Sequence, residues 1–235
     1  MNDFFSWARL AEELPLILMR LPVTLSIVFV ATTGGLILGT IAAVIRLAKA
    51  PALYQITSTG ISFFRGTPII VQLFVVYFGL PVLLKVFGVN ANRWPKLFFV
   101  CITYSLNMSA FLSEIIRSAI SSVDAGQREA AYSVGLTSAQ AFFRVVAPQA
   151  VLIALPSFSV SLLALLQNTS LGFTIGLIDM VGQVRAIAIR THHVFEGYIA
   201  AAVIFVLLSI LFSFLLSLLE KKLKSKIFKE ARRGI

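Results

Sequence analysis

Residues 21–45 read LPVTLSIVFVATTGGLILGTIAAVI, a charge-free run closed by Arg20 on one side and Arg46 on the other. A helix that crosses a bilayer needs about 20 predominantly apolar residues, and this run is long enough. Four more charge-free runs follow: residues 66–84 between Arg65 and Lys85, 97–113 between Lys96 and Glu114, 145–178 between Arg144 and Asp179, and 197–219 between Glu196 and Glu220. The fourth exceeds one crossing, and its second half is rich in Gly, Ser and Thr. That half is expected to leave the membrane or line a cavity. The reading is five spanning helices, since no segment alternates as a barrel strand would.

Composition agrees. The chain is 58% hydrophobic and 13% charged, whereas soluble domains carry about a quarter charged residues. The surplus of apolar side chain needs lipid as its surface. The formal charge of +10 does not point to nucleic acid, because seven of the twenty basic residues fall in the last fifteen positions, after the fifth run. Basic residues beside a span anchor it on the cytoplasmic side. Five spans put the termini on opposite sides. With the C-terminus inside, thirteen basic residues lie in the cytoplasm and Arg9, Arg20, Lys85, Arg93, Lys96, Arg185 and Arg190 lie outside. The N-terminus, with Asp3, Glu12, Glu13 and an interfacial Trp7, is therefore expected outside. It lacks the basic start of a signal peptide. Cys101, the single cysteine, cannot pair within the chain and is expected to be buried and structural.

Organisation follows from the runs. Residues 1–20 read as an extracytoplasmic or interfacial segment, 21–222 as one membrane domain, and 223–235 as a basic cytoplasmic tail. Ala31, Gly35, Gly39 and Ala43 recur every four positions on the first span, and Ser209, Ser213 and Ser217 do so on the last. Such stripes let helices approach closely in lipid.

The informative loop is 124–148, between the third and fourth spans and cytoplasmic by this orientation. It runs Asp124-Ala-Gly-Gln127-Arg-Glu129-Ala130-Ala131-Tyr-Ser-Val-Gly135, then nine residues, then Val145-Val-Ala-Pro148. Residues 127–134 suit a short helix that Gly135 ends in a left-handed turn. Thr137 suits the N-cap of a second. Thr67-Pro68 reads as another helix start, with Thr as cap and Pro in the first position.

Glu129-Ala130-Ala131, three residues, Gly135, nine residues, Val145 and Pro148 resemble the coupling loop of bacterial ATP-binding cassette importer permeases. Val145 and Ala147 stand where that family often has Ile and Leu. The segments Phe64-Arg65-Gly66-Thr67-Pro68, Val71-Gln72-Leu73, Tyr77-Phe78-Gly79-Leu80-Pro81, Glu114-Ile-Ile-Arg117 and Asn168-Thr169-Ser170-Leu171 are similar to the polar amino-acid branch. The resemblance implies an all-α, five-span permease subunit in the bacterial cytoplasmic membrane. It also implies a second permease subunit, identical or paralogous, two cytoplasmic ATPase subunits that receive the loop, and an extracytoplasmic solute-binding protein. The chain carries no phosphate-binding Gly-x-x-x-x-Gly-Lys-Ser/Thr loop. ATP and Mg are thus expected on the partner ATPase, with no cofactor, no metal and no enzymatic site in this chain. Gln127, Glu129, Ala130, Ala131, Gly135 and Pro148 form the expected coupling loop.

Buried polar groups need partners or water. Gln167, Asn168, Thr169 and Ser170, inside the fourth run, either bond between helices or line the solute path, and Gln72 joins them as a pathway candidate. Relatives often place an acidic residue near Asn168. Its absence here favours a neutral or zwitterionic amino acid, cystine among them. Glu114 and Arg117, three apart on a helix, pair structurally or gate. Arg65 fixes the second span, binds lipid phosphate or lines the path. His192 and His193 read as solvated, while Asp179, Arg185 and Arg190 are either solvated or contact the binding protein. The rival function is an ion-coupled transporter or channel acting alone. It would want ionisable residues at mid-span, which spans one, two, four and five lack.

Overall fold

The computed structural model describes residues 5–232; Asp3 and the last three residues of the basic tail, both placed above by charge, lie outside them. Among the described residues there is no strand. The order is α1 (Trp7–Leu18), α2 (Leu21–Ala48), α3 (Pro51–Gly66), α4 (Ile69–Phe74), α5 (Leu80–Val86), α6 (Lys96–Ser121), α7 (Ala125–Ser133), α8 (Ser138–Ala141), α9 (Ala147–Asn168), α10 (Met180–Thr191) and α11 (Phe195–Arg232). Five stretches are long and apolar enough to cross a membrane: Leu21–Ala48, Ile69–Val86, Lys96–Ser121, Ser138–Ile175 and Phe195–Ser225.

Two of these crossings are composite. A π-helical turn at Val75–Gly79 joins α4 to α5, and another at Phe142–Val146 joins α8 to α9. Each is followed within two residues by a proline, Pro81 and Pro148. Proline lacks the amide that the ladder needs and crowds the preceding turn, and the wider π turn absorbs both faults.

The tightest seam lies between α2 and α6. Ala31, Gly35, Gly39 and Ala43 are all buried. A Cβ on Gly35 would stand 2.7 Å from Met108 Cγ, and one on Gly39 would stand 2.9 Å from the Ser109 carbonyl oxygen. Only glycine lets the backbones come that close. Around this seam a core of Ile27, Leu73, Tyr104, Met108, Leu162 and Leu166 joins α2, α4, α6 and α9, with Cys101 half-buried at its edge.

Several expectations need correction. The serine stripe on the last span is no seam within the chain: Ser213 and Ser217 are exposed, and Phe205, Leu208, Phe212 and Leu216 face the core instead. Thr67 does not cap α4; its hydroxyl donates to the Phe63 carbonyl at 2.8 Å, and the cap position belongs to Pro68. No correction attaches to the first twenty residues: they contain α1, which seats Ile17 among Met180, Val184 and Ala201 of α10 and α11, and leave Trp7 exposed on the protein surface.

The seam gives a first prediction. Gly39→Val should lower stability by about 1–3 kcal/mol, the usual range for overpacking, read as a fall in the thermal midpoint in detergent. Gly60→Ala, with nothing within 4 Å of the added Cβ, should leave the midpoint unchanged or slightly raised. Equal effects at the two positions would refute the seam.

Candidate functional site

The loop after α6 folds as a knob whose turns are dictated locally. Asp124 caps α7, its Oδ1 accepting from the Gly126 amide at 2.8 Å. Gly135, at φ 80°, turns the chain out of α7. Its amide donates to the Tyr132 carbonyl at 2.9 Å and that of Leu136 to Ala131 at 3.1 Å, the double closure expected of a left-handed glycine cap. Thr137 then builds a capping box: its hydroxyl accepts from the Gln140 amide, and its own amide donates to Gln140 Oε1 at 3.0 Å.

Within the knob, Ala131 and Ala141 are buried, whereas Gln127, Glu129, Ala130 and Gly135 are exposed. Tyr132, Val134 and Phe143 add large exposed apolar side chains. Gln149 Nε2 donates to Gln127 Oε1 at 3.2 Å, tying α7 to the start of α9. Val146 and Ala150 pack with Ala119 and Val123 below it. Two details differ from expectation. Glu129 sits at the fifth position of α7, past the first turn, so the charge at the helix N-terminus is that of Asp124. The second short helix is not separate, because α8 passes through the π turn and half-buried Pro148 directly into α9.

That continuity carries the knob, along one helical rod, to the polar turn. The rod ends in a 3₁₀ segment, Thr169–Ile175, closed by Gly176 at φ 77°. Gln167 is exposed, Asn168 and Ser170 are half-buried and Thr169 is buried. The Thr169 and Ser170 hydroxyls donate back to Leu166 and Gln167 carbonyls at 2.6 and 2.7 Å. Tyr104 of α6 donates its hydroxyl to the Asn168 carbonyl at 2.7 Å. Lys96 Nζ donates to the Gly176 carbonyl at 3.2 Å, pinning the start of α6 to the end of the turn. The amide of Gln167 remains at the surface of the turn.

Gln72 does not belong to that surface. It is 2% exposed, and its Nε2 donates to the carbonyls of Phe64 and Thr67 and to the Thr67 hydroxyl. Its Oε1 accepts from Asn107 Nδ2 at 3.0 Å. These bonds lock the α3–α4 corner to α6, which makes Gln72 a structural residue rather than a lining one. Asp179 is likewise neither solvated nor free to contact a partner. It is fully buried and caps α10 through the Gly182 amide at 2.8 Å. Burial pushes its carboxyl up to about 6, against the opposing amides of Gly182, Asp179 and Val181. His192, at φ 58°, closes α10.

Glu114 is the centre of a three-residue ion cluster. One oxygen accepts from Arg46 Nη1 at 2.6 Å, and the other pairs with Arg117. Local spacing does not show Arg46 as a partner; the signal for it is that it stands at the same end of the first span as Glu114 of the third. The cluster clamps α2 to α6 just beyond their glycine seam. Beside it, a cavity of about 260 Å³ between α6 and α9 is lined by Glu114, Ser118 and Ser157 among others. Arg65 lies 5.8 Å from the Phe111 ring centroid, a cation–π contact, and Arg185 lies 5.2 Å from that of Phe173.

A protein-family model described as the inner membrane component of binding-protein-dependent transport systems matches residues 35–225. The chain belongs to this family. Its members are multi-pass permease subunits of the cytoplasmic membrane, and the five apolar helices fit that place. The L-cystine transport system permease protein TcyL of Bacillus subtilis (strain 168) is 38% identical over 95% of this chain and 94% of its own. The arginine transport system permease protein ArtQ of the same organism is 34% identical, over 91% of this chain and 94% of its own. Among solved structures, an amino acid ABC transporter with histidines superposes with a TM-score of 0.82 at 33% identity, covering 93% of this chain and 99% of that one. The inward-facing MetNI methionine ABC transporter, at 19% identity, shares the fold with a TM-score of 0.70. The all-helical, five-span body of this permease is therefore the type I ABC-importer permease fold.

The ion cluster yields a second prediction. Glu114→Gln leaves two guanidinium groups facing each other without an anion. Stability should fall by about 2 kcal/mol, in the range for a polar group deprived of its partner. The thermal midpoint in detergent reads it, and Ser118→Ala at the neighbouring cavity should leave it unchanged.

Proposed function

We propose that this permease moves a polar amino acid across the cytoplasmic membrane by alternating access, between two permease subunits and at the expense of ATP hydrolysed by partner subunits. One observation carries the reading. The exposed knob and the polar turn lie at opposite ends of one continuous rod, Ser138–Ile175. A force applied to the knob reaches the turn along one helical stretch, which the π turn and Pro156 interrupt without ending it. Gln127, Glu129, Ala130, Ala131, Gly135 and Pro148 constitute the coupling element in this reading. Buried Ala131 and the small exposed Ala130 let α7 lie close to an ATPase surface, while Tyr132, Val134 and Phe143 offer it apolar contact. An extracytoplasmic binding protein delivers the solute, ATP and Mg stay on the ATPase, and the membrane lipid covers the remaining apolar faces. The charge count supports an outside N-terminus and a cytoplasmic tail.

Gln167, Asn168, Thr169 and Ser170 form the candidate solute-facing turn. Gln167 is its best-placed side chain, because the Thr169 and Ser170 hydroxyls already bond to backbone. The turn carries no acidic residue, so it provides no fixed negative charge for a cationic side chain. A neutral or zwitterionic amino acid fits it, and the relatedness to a cystine permease favours cystine. In this reading Glu114 and Arg117 hold α2 and α6 together, and any gating follows from that clamp.

Gly135→Asp tests the coupling. A side chain at positive φ is resisted by at least about 1 kcal/mol, which misdirects α8. Uptake should be abolished, with the protein still inserted, and ATP hydrolysis should lose its response to loaded binding protein. Normal uptake and normal stimulation would end the coupling role. Competition for uptake by cystine, glutamine, arginine and lysine tests the solute. Cystine or glutamine should compete, and strong selective uptake of arginine or lysine would overturn the neutral-solute reading.

A further inference from the structure

The end of the molecule remote from the knob contains a buried carboxylate pair that the transport reading does not use. Glu196, the second residue of α11, is 1% exposed. Its Oε1 accepts from Arg9 Nε at 2.8 Å and from the Ser6 amide at 2.9 Å, and lies 2.6 Å from Arg9 Nη2. These bonds fasten α1 to α11. One turn further along α1, Glu13 is 5% exposed, and its Oε2 is buried without a hydrogen-bond partner. Gly197 makes room for it, since a Cβ there would stand 3.0 Å from that oxygen and 2.8 Å from Val184 Cγ1. Ile17 completes the contact, fully buried against α10 and α11.

A carboxylate removed from water without a donor is costly, and a second carboxylate beside it adds repulsion. The same carboxyl carrying a proton loses both penalties. We propose that Glu13 is a protonation site that controls how firmly α1 docks on α10 and α11, with a proton as its ligand. The docked arrangement favours the protonated form, and deprotonation loosens α1 from the end of the bundle opposite the knob. The inference is independent of the solute and of the coupling loop.

The electrostatic surroundings agree in sign. Burial raises the Glu13 carboxyl above its ordinary range, Glu196 raises it further, Glu12 adds a little, and Arg9 and His193 oppose them. From α10, Asp179 accepts the Gly182 amide with one oxygen while its other oxygen is buried without a partner, so it is the competing carboxyl at this end, and Arg185 lies over Phe173. At the start of α2, Arg20 donates to Gln183. Because docking raises the titration of Glu13, its contribution is fully present below the range of a free carboxylate. That contribution is lost as pH rises through the raised value.

The test uses single-cysteine variants in a Cys101→Ser background of the full chain in membrane vesicles. Ile17→Cys reports undocking, and Ala11→Cys, which is exposed, corrects for the pH dependence of thiol reactivity. Maleimide labelling of Ile17→Cys relative to Ala11→Cys should rise severalfold from pH 5 to pH 8, because deprotonation of Glu13 disfavours the docked arrangement. Adding Glu13→Gln should hold the ratio low at every pH, and Glu13→Met, of similar length and never charged, should do the same if the glutamine variant fails to assemble. Asp179→Asn, which keeps the cap, should leave the pH dependence intact. A wild-type ratio that does not change with pH, a pH dependence that survives both Glu13 substitutions, or one that disappears with Asp179→Asn would each overturn the proposal.

Discussion

Hydrocarbon offers no partner to a peptide group, so every amide that enters it must be satisfied within its own helix. The rest of the structure follows from that constraint. It forces the five crossings to be helical, and it removes the hydrophobic effect as a force between them, since lipid tails are as apolar as leucine. What remains is close packing. The α2–α6 seam supplies it through Gly35, which seats the Met108 side chain, and Gly39, which meets the Ser109 carbonyl, both at distances that no Cβ tolerates. Pro81 and Pro148 are absorbed by π turns next to them, at Val75–Gly79 and Phe142–Val146, while Pro156 stands inside α9 without one.

On that scaffold, polar residues are used sparingly and mostly as joints. Gln72 ties the α3–α4 corner to α6, Glu114 clamps α2 to α6 through Arg46, and Glu196 holds α1. Each is a polar side chain buried or half-buried with partners from a distant part of the chain. The knob differs in kind. Its Asp124 cap, Gly135 turn and Thr137 capping box are all closed by residues within five positions. It is therefore a rigid local object, fused at one end to the rod that carries Gln167–Ser170.

The sequence by itself determined the features set by local physics. Run length and charge gave the five spans, because the bilayer's thickness is a ruler that the chain must match. Spacing gave the knob, because a glycine cap and a capping box each involve only neighbouring residues. The Ala31–Ala43 stripe was legible for the same reason, as a repeat of one helical period. The Ser209–Ser217 stripe shows the limit, since the same period described a face on which Ser213 and Ser217 are exposed and only Ser209 is half-buried. The tertiary structure alone decided the long-range pairings. Arg46 with Glu114, Arg9 with Glu196, and Asn107 with Gln72 lie between 35 and 187 positions apart in sequence. It alone moved Gln72 from the candidate pathway into the core, buried Asp179 and set Glu13 against Glu196. Burial and partner choice depend on which helices meet and in what rotation. Helix packing fixes that rotation, and no local pattern along the chain records it.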